Sequence, residues 1–243
     1  MKRLIYSAIL VLTILGNAAN AQTTTPEEKK STINIGADLM SRYVWRGLDY
    51  GASPSVQPYI EYAHKSGFTL GYWGAMSTLG TYSEVDLYAK YAVKSVTFIA
   101  TDYFFPKDGI PATKSFEYLN YKKATTGHLI EGSVQYKGGD NCPLSLLLGT
   151  VLYGADQKSN GDLRYSTYAE LGYTFKCNGS NFDTFMGLTP SNGLYGTSFG
   201  VVNMGITGYK TIKLTDKFEL PVKASIIANP QTSNIYLVFG ITL

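Results

Sequence analysis

From residue 32 onward, the chain consists of short segments in which apolar and polar residues alternate. In the first segment the apolar set is Ile33, Ile35, Ala37, Leu39, Tyr43 and Trp45, and the polar set is Asn34, Asp38, Arg42 and Arg46. Successive side chains of a β-strand point to opposite faces, so this repeat of two predicts strands. A helix would place Asp38 beside Leu39 and would form no clean apolar stripe.

The alternation predicts twelve strands, at 33–47, 56–64, 67–77, 83–93, 96–105, 127–137, 142–156, 163–177, 180–190, 198–212, 217–228 and 234–243. Very short connections, at 65–66, 94–95, 138–141, 178–179 and 213–216, alternate with longer ones that include 106–126. An even number of strands of about ten residues, with short turns on one side, is typical of bacterial outer-membrane barrels. The pattern therefore predicts an all-β, antiparallel up-and-down transmembrane barrel over residues 32–243, with both termini and the short turns in the periplasm.

The two ends of the chain indicate export and membrane assembly. Lys2 and Arg3 precede an apolar run at 4–15 and a small-residue site at 19–21, which predicts a signal peptide over 1–21 cleaved before Gln22. Residues 22–31 are polar and predict a disordered segment. The last strand alternates up to Leu243, so we expect the barrel-assembly machinery of a Gram-negative outer membrane to bind it, although Phe is the usual final residue.

Composition supports a barrel that contacts outer-membrane lipid. Hydrophobic residues make up 44% of the chain but charged residues only 16%, well below the roughly 25% of a typical soluble domain. No run outside the N-terminus reaches the ~18 apolar residues of a membrane helix. The net charge of +3 is too small and too dispersed for nucleic-acid binding.

The sequence contains no recognisable catalytic or metal-binding motif. His64 and His128 lie near opposite ends of distant predicted strands, so they do not form the adjacent Ser–His site that an outer-membrane lipase needs. Two histidines and two widely spaced cysteines do not form a metal cluster. We therefore expect no enzymatic activity, no metal and no cofactor.

The turn Asn178-Gly179 fixes one strand register, because a type I′ hairpin requires positive φ at both residues. The predicted pairs are Cys177–Ser180, Phe175–Phe182, Tyr173–Thr184 and Leu171–Met186. The last hairpin predicts the pairs Ile226–Ile235 and Ala224–Leu237.

The two cysteines are predicted to meet. If the previous hairpin is centred on Ser159-Asn160, Leu148 pairs with Leu171 and Cys142 lies opposite Cys177. We hypothesise a cross-strand disulfide, since exported proteins form such bonds. Two free thiols are the alternative, because a bridge between directly paired residues is strained.

Two segments do not fit the simplest strand pattern. Asp102 falls on the apolar face, and a bulge or shifted turn near 94–95 would turn it inward. The segment from Phe116 to Tyr121 could extend the strand at 127–137.

The polar faces predict a charged lumen, and aromatic residues near strand ends predict interfacial girdles. The girdle candidates are Tyr43, Trp45, Tyr62, Phe68, Tyr91, Tyr136, Tyr153, Phe175 and Phe182. The candidates for a luminal constriction are Asp38, Arg42, Arg46, Glu84, Asp86, Lys90, Glu131 and Glu170. In one continuous strand, Asp38, Arg42 and Arg46 would share one face, with ~13 Å between each residue and the next. Such residues either select small solutes in a pore or form an ion-pair network that fills a closed barrel.

Several motifs resemble a known family. The segment Ser41-Arg42-Tyr43-Val44-Trp45-Arg46-Gly47 resembles the S-x-Y-x-[FW]-R-G motif of the TorF-type family of exported porin-like proteins. Pro54 with Gln57, Gly71 with Trp73, and Glu84-x-Asp86-x-Tyr88 are similar to its following motifs. This resemblance implies an outer-membrane barrel with porin activity and supplies no catalytic residues.

Three functions are compatible with the sequence. The first is a pore for small solutes. The second is a closed barrel with a structural role, or one that binds a partner through the loop at 106–126. The third is a soluble periplasmic β-protein that binds an apolar ligand.

Overall fold

A computed structural model describes residues 30–107, 117–139 and 142–243. The predicted signal peptide, most of the predicted disordered segment and Phe116 lie outside the described residues. The regular structure of the described part consists of fourteen β-strands. No helix in this part is long and apolar enough to cross a membrane.

Twelve of the strands form a closed antiparallel barrel, which confirms the predicted all-β barrel and its strand number. These strands are β1 (Thr32–Met40), β4 (Ser55–Ala63), β5 (Phe68–Ser77), β6 (Ser83–Val93), β7 (Val96–Lys107), β8 (His128–Lys137), β9 (Leu144–Gly154), β10 (Thr167–Cys177), β11 (Ser180–Thr189), β12 (Gly200–Lys213), β13 (Glu219–Asn229) and β14 (Asn234–Thr242). Strand β1 closes the barrel by pairing with both β4 and β14. We call the end with the connections 64–67, 94–95 and 178–179 the short-turn end, and the opposite end the loop end.

The first predicted strand is wrong in its length. Strand β1 ends at Met40, and the remaining residues form a separate hairpin of β2 (Tyr43–Trp45) and β3 (Leu48–Tyr50). Alternation continues through this hairpin because it too is a pair of strands. Its apolar residues lie in a buried cluster with Tyr82 and Ala75, so the prediction that Tyr43 and Trp45 belong to an interfacial girdle is also wrong.

One predicted register is confirmed and two are shifted. Strands β10 and β11 pair as predicted, with φ of 48° at Asn178 and 77° at Gly179. Strands β9 and β10 instead pair Leu146 with Leu171, and β13 and β14 pair Ile226 with Leu237. Each shift is two residues, which leaves every side chain on its predicted face.

The shift between β9 and β10 removes the basis of the predicted disulfide. The turn is wider than assumed, with an isolated bridge between Gln157 and Leu163. Cys142 therefore does not lie opposite Cys177, and both residues are free thiols. The Tyr136 hydroxyl donates to the Cys142 sulfur at 3.7 Å.

Asp102 lies on the outward face, as the simplest register predicts, and no bulge or shifted turn brings it inward. The register of β6 and β7 is regular from the Val93–Val96 pair to the Val85–Phe104 pair, and its irregularity lies beyond Asp102. Residues 117–121 do not extend β8, since they form turn and coil.

The outward face of the barrel exposes many large apolar side chains. We call them the outer apolar belt, and it includes Ile35, Ile60, Leu70, Leu87, Phe98, Val134, Leu146, Leu148, Leu171, Met186, Ile226, Leu237 and Phe239. Soluble monomers rarely expose a contiguous apolar surface larger than a few hundred Å². Glu84, Asp86 and Glu131 of the barrel strands are buried on the inward face.

Candidate functional site

The hairpin of residues 43–50, which we call the inner hairpin, lies inside the barrel at the loop end. Trp45 packs against Tyr103 of β7, and Tyr43 packs against Trp73 of β5, both with ring centroids 5.3 Å apart. On the far wall, Asn229 of β13 donates a hydrogen bond to the Gly47 carbonyl oxygen at 3.1 Å. A segment that contacts walls on several sides of a closed barrel must occupy its lumen.

The turn of the inner hairpin requires a glycine. Arg46 and Gly47 have φ of 51° and 78°, as a two-residue hairpin turn requires. A Cβ atom at Gly47 would overlap the carbonyl oxygen of Val202 in β12. The turn therefore fits closely against the wall of the barrel.

Arg46 fastens this turn to β8. Its guanidinium forms a two-pronged ion pair with Glu131, at 2.5 Å and 2.8 Å, and also donates to the Tyr195 hydroxyl. The Arg46 side chain is 8% exposed and that of Glu131 is 1% exposed. The guanidinium also lies over the rings of Trp45, Tyr168 and Tyr195, at 4.5 Å, 4.7 Å and 5.1 Å.

The surroundings of Arg46 keep it charged despite its burial. Burial alone lowers the pKa of Arg46, but the Tyr195 oxygen and the Glu131 carboxylate reverse this effect, and the net pKa is raised. Glu131 also accepts hydrogen bonds from Tyr195 at 2.7 Å and from Ser133 at 2.6 Å. A buried pair with this many hydrogen bonds is costly to break.

A second group of carboxyls lies under the other side of the inner hairpin. Glu84 and Asp86 on β6 are both buried, and the Tyr82 hydroxyl donates to Glu84 at 2.6 Å. The rings of Tyr43 and Tyr50 pack on Tyr82, with centroids 5.8 Å and 5.1 Å away. The hairpin thus rests on an aromatic and acidic surface.

The ion pairs nearer the short-turn end are reached by solvent. Lys223 pairs with Asp38 at 2.5 Å, and Lys90 pairs with Glu61 at 2.7 Å. These four side chains are between 21% and 35% exposed. The lumen is therefore wet toward the short turns and filled toward the loops.

Arg42 and Asp49 form an intermediate pair at the base of the inner hairpin. They are joined at 2.6 Å, with side chains 36% and 12% exposed. Burial raises the pKa of Asp49, and Arg42 partly opposes this effect. The predicted spacing of Asp38, Arg42 and Arg46 along one strand is therefore wrong. Asp38 belongs to a strand of the barrel wall, whereas Arg42 and Arg46 belong to the inner hairpin and its base.

Residues of the connection 190–199 complete the filled region and were missed by the sequence analysis. Tyr195 and Tyr168 are fully buried around Arg46, and Tyr168 donates a hydrogen bond to the predicted candidate Glu170. Asn203 donates to the same carboxylate at 3.1 Å. An aromatic residue between two glycines in a loop, as at Tyr195, was the signal that the sequence offered.

Comparison with known proteins identifies a family. A family model described as a bacterial protein of unknown function (Gcw_chp) matches residues 21–187. The chain belongs to this family. No curated protein matches the chain. The Gcw_chp match includes the inner hairpin, Glu84, Asp86 and Glu131, whereas Tyr195 lies beyond it.

Residues 117–127 of the Gcw_chp chain, which we call the outer latch, lie over a polar cluster on the outward face of the barrel. His128 is fully buried there, with Nδ1 2.7 Å from Asp102 and Nε2 2.6 Å from the Tyr118 carbonyl oxygen. The Tyr121 ring stacks on His128 at 4.0 Å, and its hydroxyl donates to Asp102 at 2.8 Å. Burial and this hydrogen bond raise the pKa of Tyr121.

Both ring nitrogens of His128 are therefore engaged, one by the Asp102 carboxyl and the other by a backbone carbonyl oxygen. Among the described residues, no group of three or more His, Cys, Asp or Glu side chains is arranged to hold a metal ion.

Proposed function

We propose that this Gcw_chp protein is an outer-membrane barrel that passes small solutes through a charged lumen narrowed by the inner hairpin. The closed barrel and its outer apolar belt support insertion among outer-membrane lipids. The predicted signal peptide supports export. The apolar last strand supports recognition by the barrel-assembly machinery.

The observation that carries the pore is the gradient of solvent exposure along the luminal charges. Exposed pairs at Asp38–Lys223 and Glu61–Lys90 lead to the buried Arg46–Glu131 pair at the hairpin turn. Charged side chains that solvent reaches from one end of a barrel are of the kind that line a permeation path. The wet half is a vestibule, and the inner hairpin is the constriction where charge selects the solute.

The resemblance of 41–47 to the TorF-type motif agrees with this proposal. Trp45 and Arg46 belong to this motif. Both lie in the lumen as part of the inner hairpin. We infer that these residues form the luminal constriction of this chain, and that no catalytic role is involved.

The burial of Arg46 and Glu131 favours a second candidate, a barrel whose hairpin closes it permanently. Its function would then be structural, or would lie in partner binding by the loops. The two candidates differ in whether ions cross the protein.

Planar-bilayer recordings test the proposal with two proteins. One is the natural chain, and the other replaces residues 43–50 by a short Gly-Ser linker. Conductance by the natural chain that increases in the linker variant supports a pore constricted by the inner hairpin. A natural chain that migrates as a folded barrel on unheated gels but does not conduct overturns the pore in favour of the closed barrel, whether or not the linker variant conducts.

Selectivity gives a second measurement. If Arg42 faces the permeation path, Arg42→Glu shifts the reversal potential in a salt gradient toward cation preference. Lys65→Glu, in an exposed short turn, is the matched control and should leave the reversal potential unchanged. An equal potential in all three proteins would show that Arg42 does not line the path.

A further inference from the structure

Glu84 and Asp86 form an unusual pair on the luminal face of β6. They lie two residues apart on one strand and are 4% and 5% exposed. Residues two apart on a strand point to the same face, so both carboxyls lie in the same buried space. Two ionised carboxylates there would repel each other, and a proton on one of them removes this repulsion.

The pair has no cationic partner in the described part of the chain. None of the ion pairs there includes Glu84 or Asp86. Among the described residues, no N–H or O–H group donates a hydrogen bond to the buried Asp86 Oδ1. A second buried negative charge without a counter-ion is strongly disfavoured, so one proton on the pair is the state compatible with burial.

The inner hairpin reaches this pair through Tyr82. The rings of Tyr43 and Tyr50 pack on the Tyr82 ring, and the buried Tyr50 hydroxyl has no hydrogen-bond partner. Tyr82, from the β5–β6 connection, donates to Glu84 from the loop side. Two negative charges here would be placed against the aromatic strand of the hairpin, with no water to solvate them.

Other groups that face the pair do not replace it as a titrating site. Burial and the charge of Glu84 raise the pKa values of Tyr43, Tyr50 and Tyr82, so these phenols stay neutral. Tyr103 of β7 and Trp73 of β5 line the same space as neutral rings. Arg46 is held by Glu131, and Asp102 on the outward face is held by His128.

We propose that the Glu84–Asp86 pair is a proton-binding site that fastens the inner hairpin in the lumen and releases it when the proton leaves. The sign follows from the charges. At low pH the pair is singly protonated and the hairpin is held. As the pH rises, a second negative charge forms beneath Tyr43 and Tyr50, and the hairpin loosens. The conformational switch stands independently of conduction, and its effect on solute passage rests on the proposed pore.

The two tryptophans of the chain are natural reporters of this switch. Trp45 lies in the inner hairpin, 6.2 Å from the Tyr50 ring, and Trp73 lies 5.3 Å from the Tyr43 ring. Acrylamide quenching of their fluorescence in detergent therefore measures how firmly the hairpin is seated. Between about pH 5 and about pH 9, a range that includes documented values for buried carboxyls, we expect the quenching constant of the natural protein to rise at least twofold.

Two variants test the assignment to these carboxyls. Asp86→Asn supplies a permanent donor to Glu84, and Glu84→Gln with Asp86→Asn removes both titrating groups, so quenching should be flat with pH in both. Glu61→Gln, at a luminal carboxylate paired with Lys90, should keep the natural rise. A flat natural profile, or an unchanged rise in the two carboxyl variants, overturns the proposal.

Bilayer conductance of the same preparations separates the two proposals. A quenching change without conductance at any pH retains the switch and defeats the pore. Conductance with pH-independent quenching retains the pore and defeats the switch. If the double variant does not fold, the single variant Asp86→Asn, which is closest in shape to the natural residue, decides the result.

Discussion

At the scale of single residues, the contact that matters most is between Arg46 and Glu131. Removing one partner leaves a buried, uncompensated charge, which in known proteins costs about 3–5 kcal/mol. We predict that Arg46→Ala lowers the free energy of unfolding in detergent by an amount of this order. Urea titration followed by tryptophan fluorescence measures it.

Arg42→Ala is the matched control for this prediction. Arg42 also forms an ion pair, with Asp49, but its side chain is 36% exposed. Solvent screens such a pair, so the expected loss is about 1 kcal/mol or less. Equal losses in the two variants would mean that the Arg46 pair does not hold the inner hairpin in place.

Gly47 provides a second prediction at this scale. Gly47→Ala introduces both an unfavourable positive φ and an overlap with Val202, whereas Gly161→Ala introduces only the former, because no atom lies within 4 Å of its Cβ. The unfavourable positive φ costs about 1–2 kcal/mol in both variants. We expect Gly47→Ala to be the more destabilising in the same urea titration, and equal losses would contradict the close fit of the turn against β12.

At the scale of elements, the hydrophobic pattern predicted strands well and their environment less well. The alternation from 33 to 47 is continuous, yet it covers both a barrel strand and half of a luminal hairpin. Period-two alternation shows that a segment has two faces, but it does not show whether the apolar face meets lipid or a protein core. Only tertiary contacts, such as that between Trp45 and Tyr103, decide this.

Registers were predictable where the turn chemistry was specific. Asn178-Gly179 admits one tight turn, and its register is confirmed. The connection 155–166 is long and irregular, so its centre could not be inferred, and the Cys142–Cys177 pairing failed with it. Likewise, the charges of Arg46 and Glu131 were recognised as luminal, but their pairing over 85 positions of sequence was not predictable.

The outer latch gives a prediction for an element. His128→Ala removes the bonds to Asp102 and to the Tyr118 carbonyl oxygen, which hold residues 117–127 on the barrel wall. Because Lys122 and Lys123 lie in this segment, we expect trypsin to cleave there several-fold faster, as measured by mass spectrometry. His64→Ala removes an exposed histidine bonded locally to Ser66 and should not change cleavage. Unchanged cleavage in both variants would show that the contacts of His128 do not restrain the outer latch.

At the scale of the whole molecule, polarity is arranged inside out compared with a soluble protein. The ion pairs and hydrogen bonds of the inner hairpin fill the interior, and the outer apolar belt covers the exterior. This arrangement explains why a chain with only 16% charged residues still has a strongly polar lumen. It also gives the sharpest distinction between a membrane barrel and a soluble periplasmic β-protein.

We predict that Leu148→Arg impairs folding into lipid vesicles. Leu148 lies in the middle of β9 in the outer apolar belt and is 53% exposed. In a bilayer, an arginine at mid-depth costs about 2–4 kcal/mol. In water, an exposed substitution usually changes stability by no more than about 0.5 kcal/mol. Leu148→Arg is therefore expected to impair folding if Leu148 faces lipid and to have little effect if it faces water.

Leu119→Arg is the matched control, because Leu119 is 86% exposed but lies in the outer latch, outside the barrel strands. The folded fraction is read from heat-modifiable migration on gels after incubation with vesicles. If the belt contacts lipid, the folded fraction falls for Leu148→Arg and is unchanged for Leu119→Arg. If both variants fold as the natural chain does and stay soluble without detergent, the belt does not contact lipid, and an apolar ligand or partner must cover it instead.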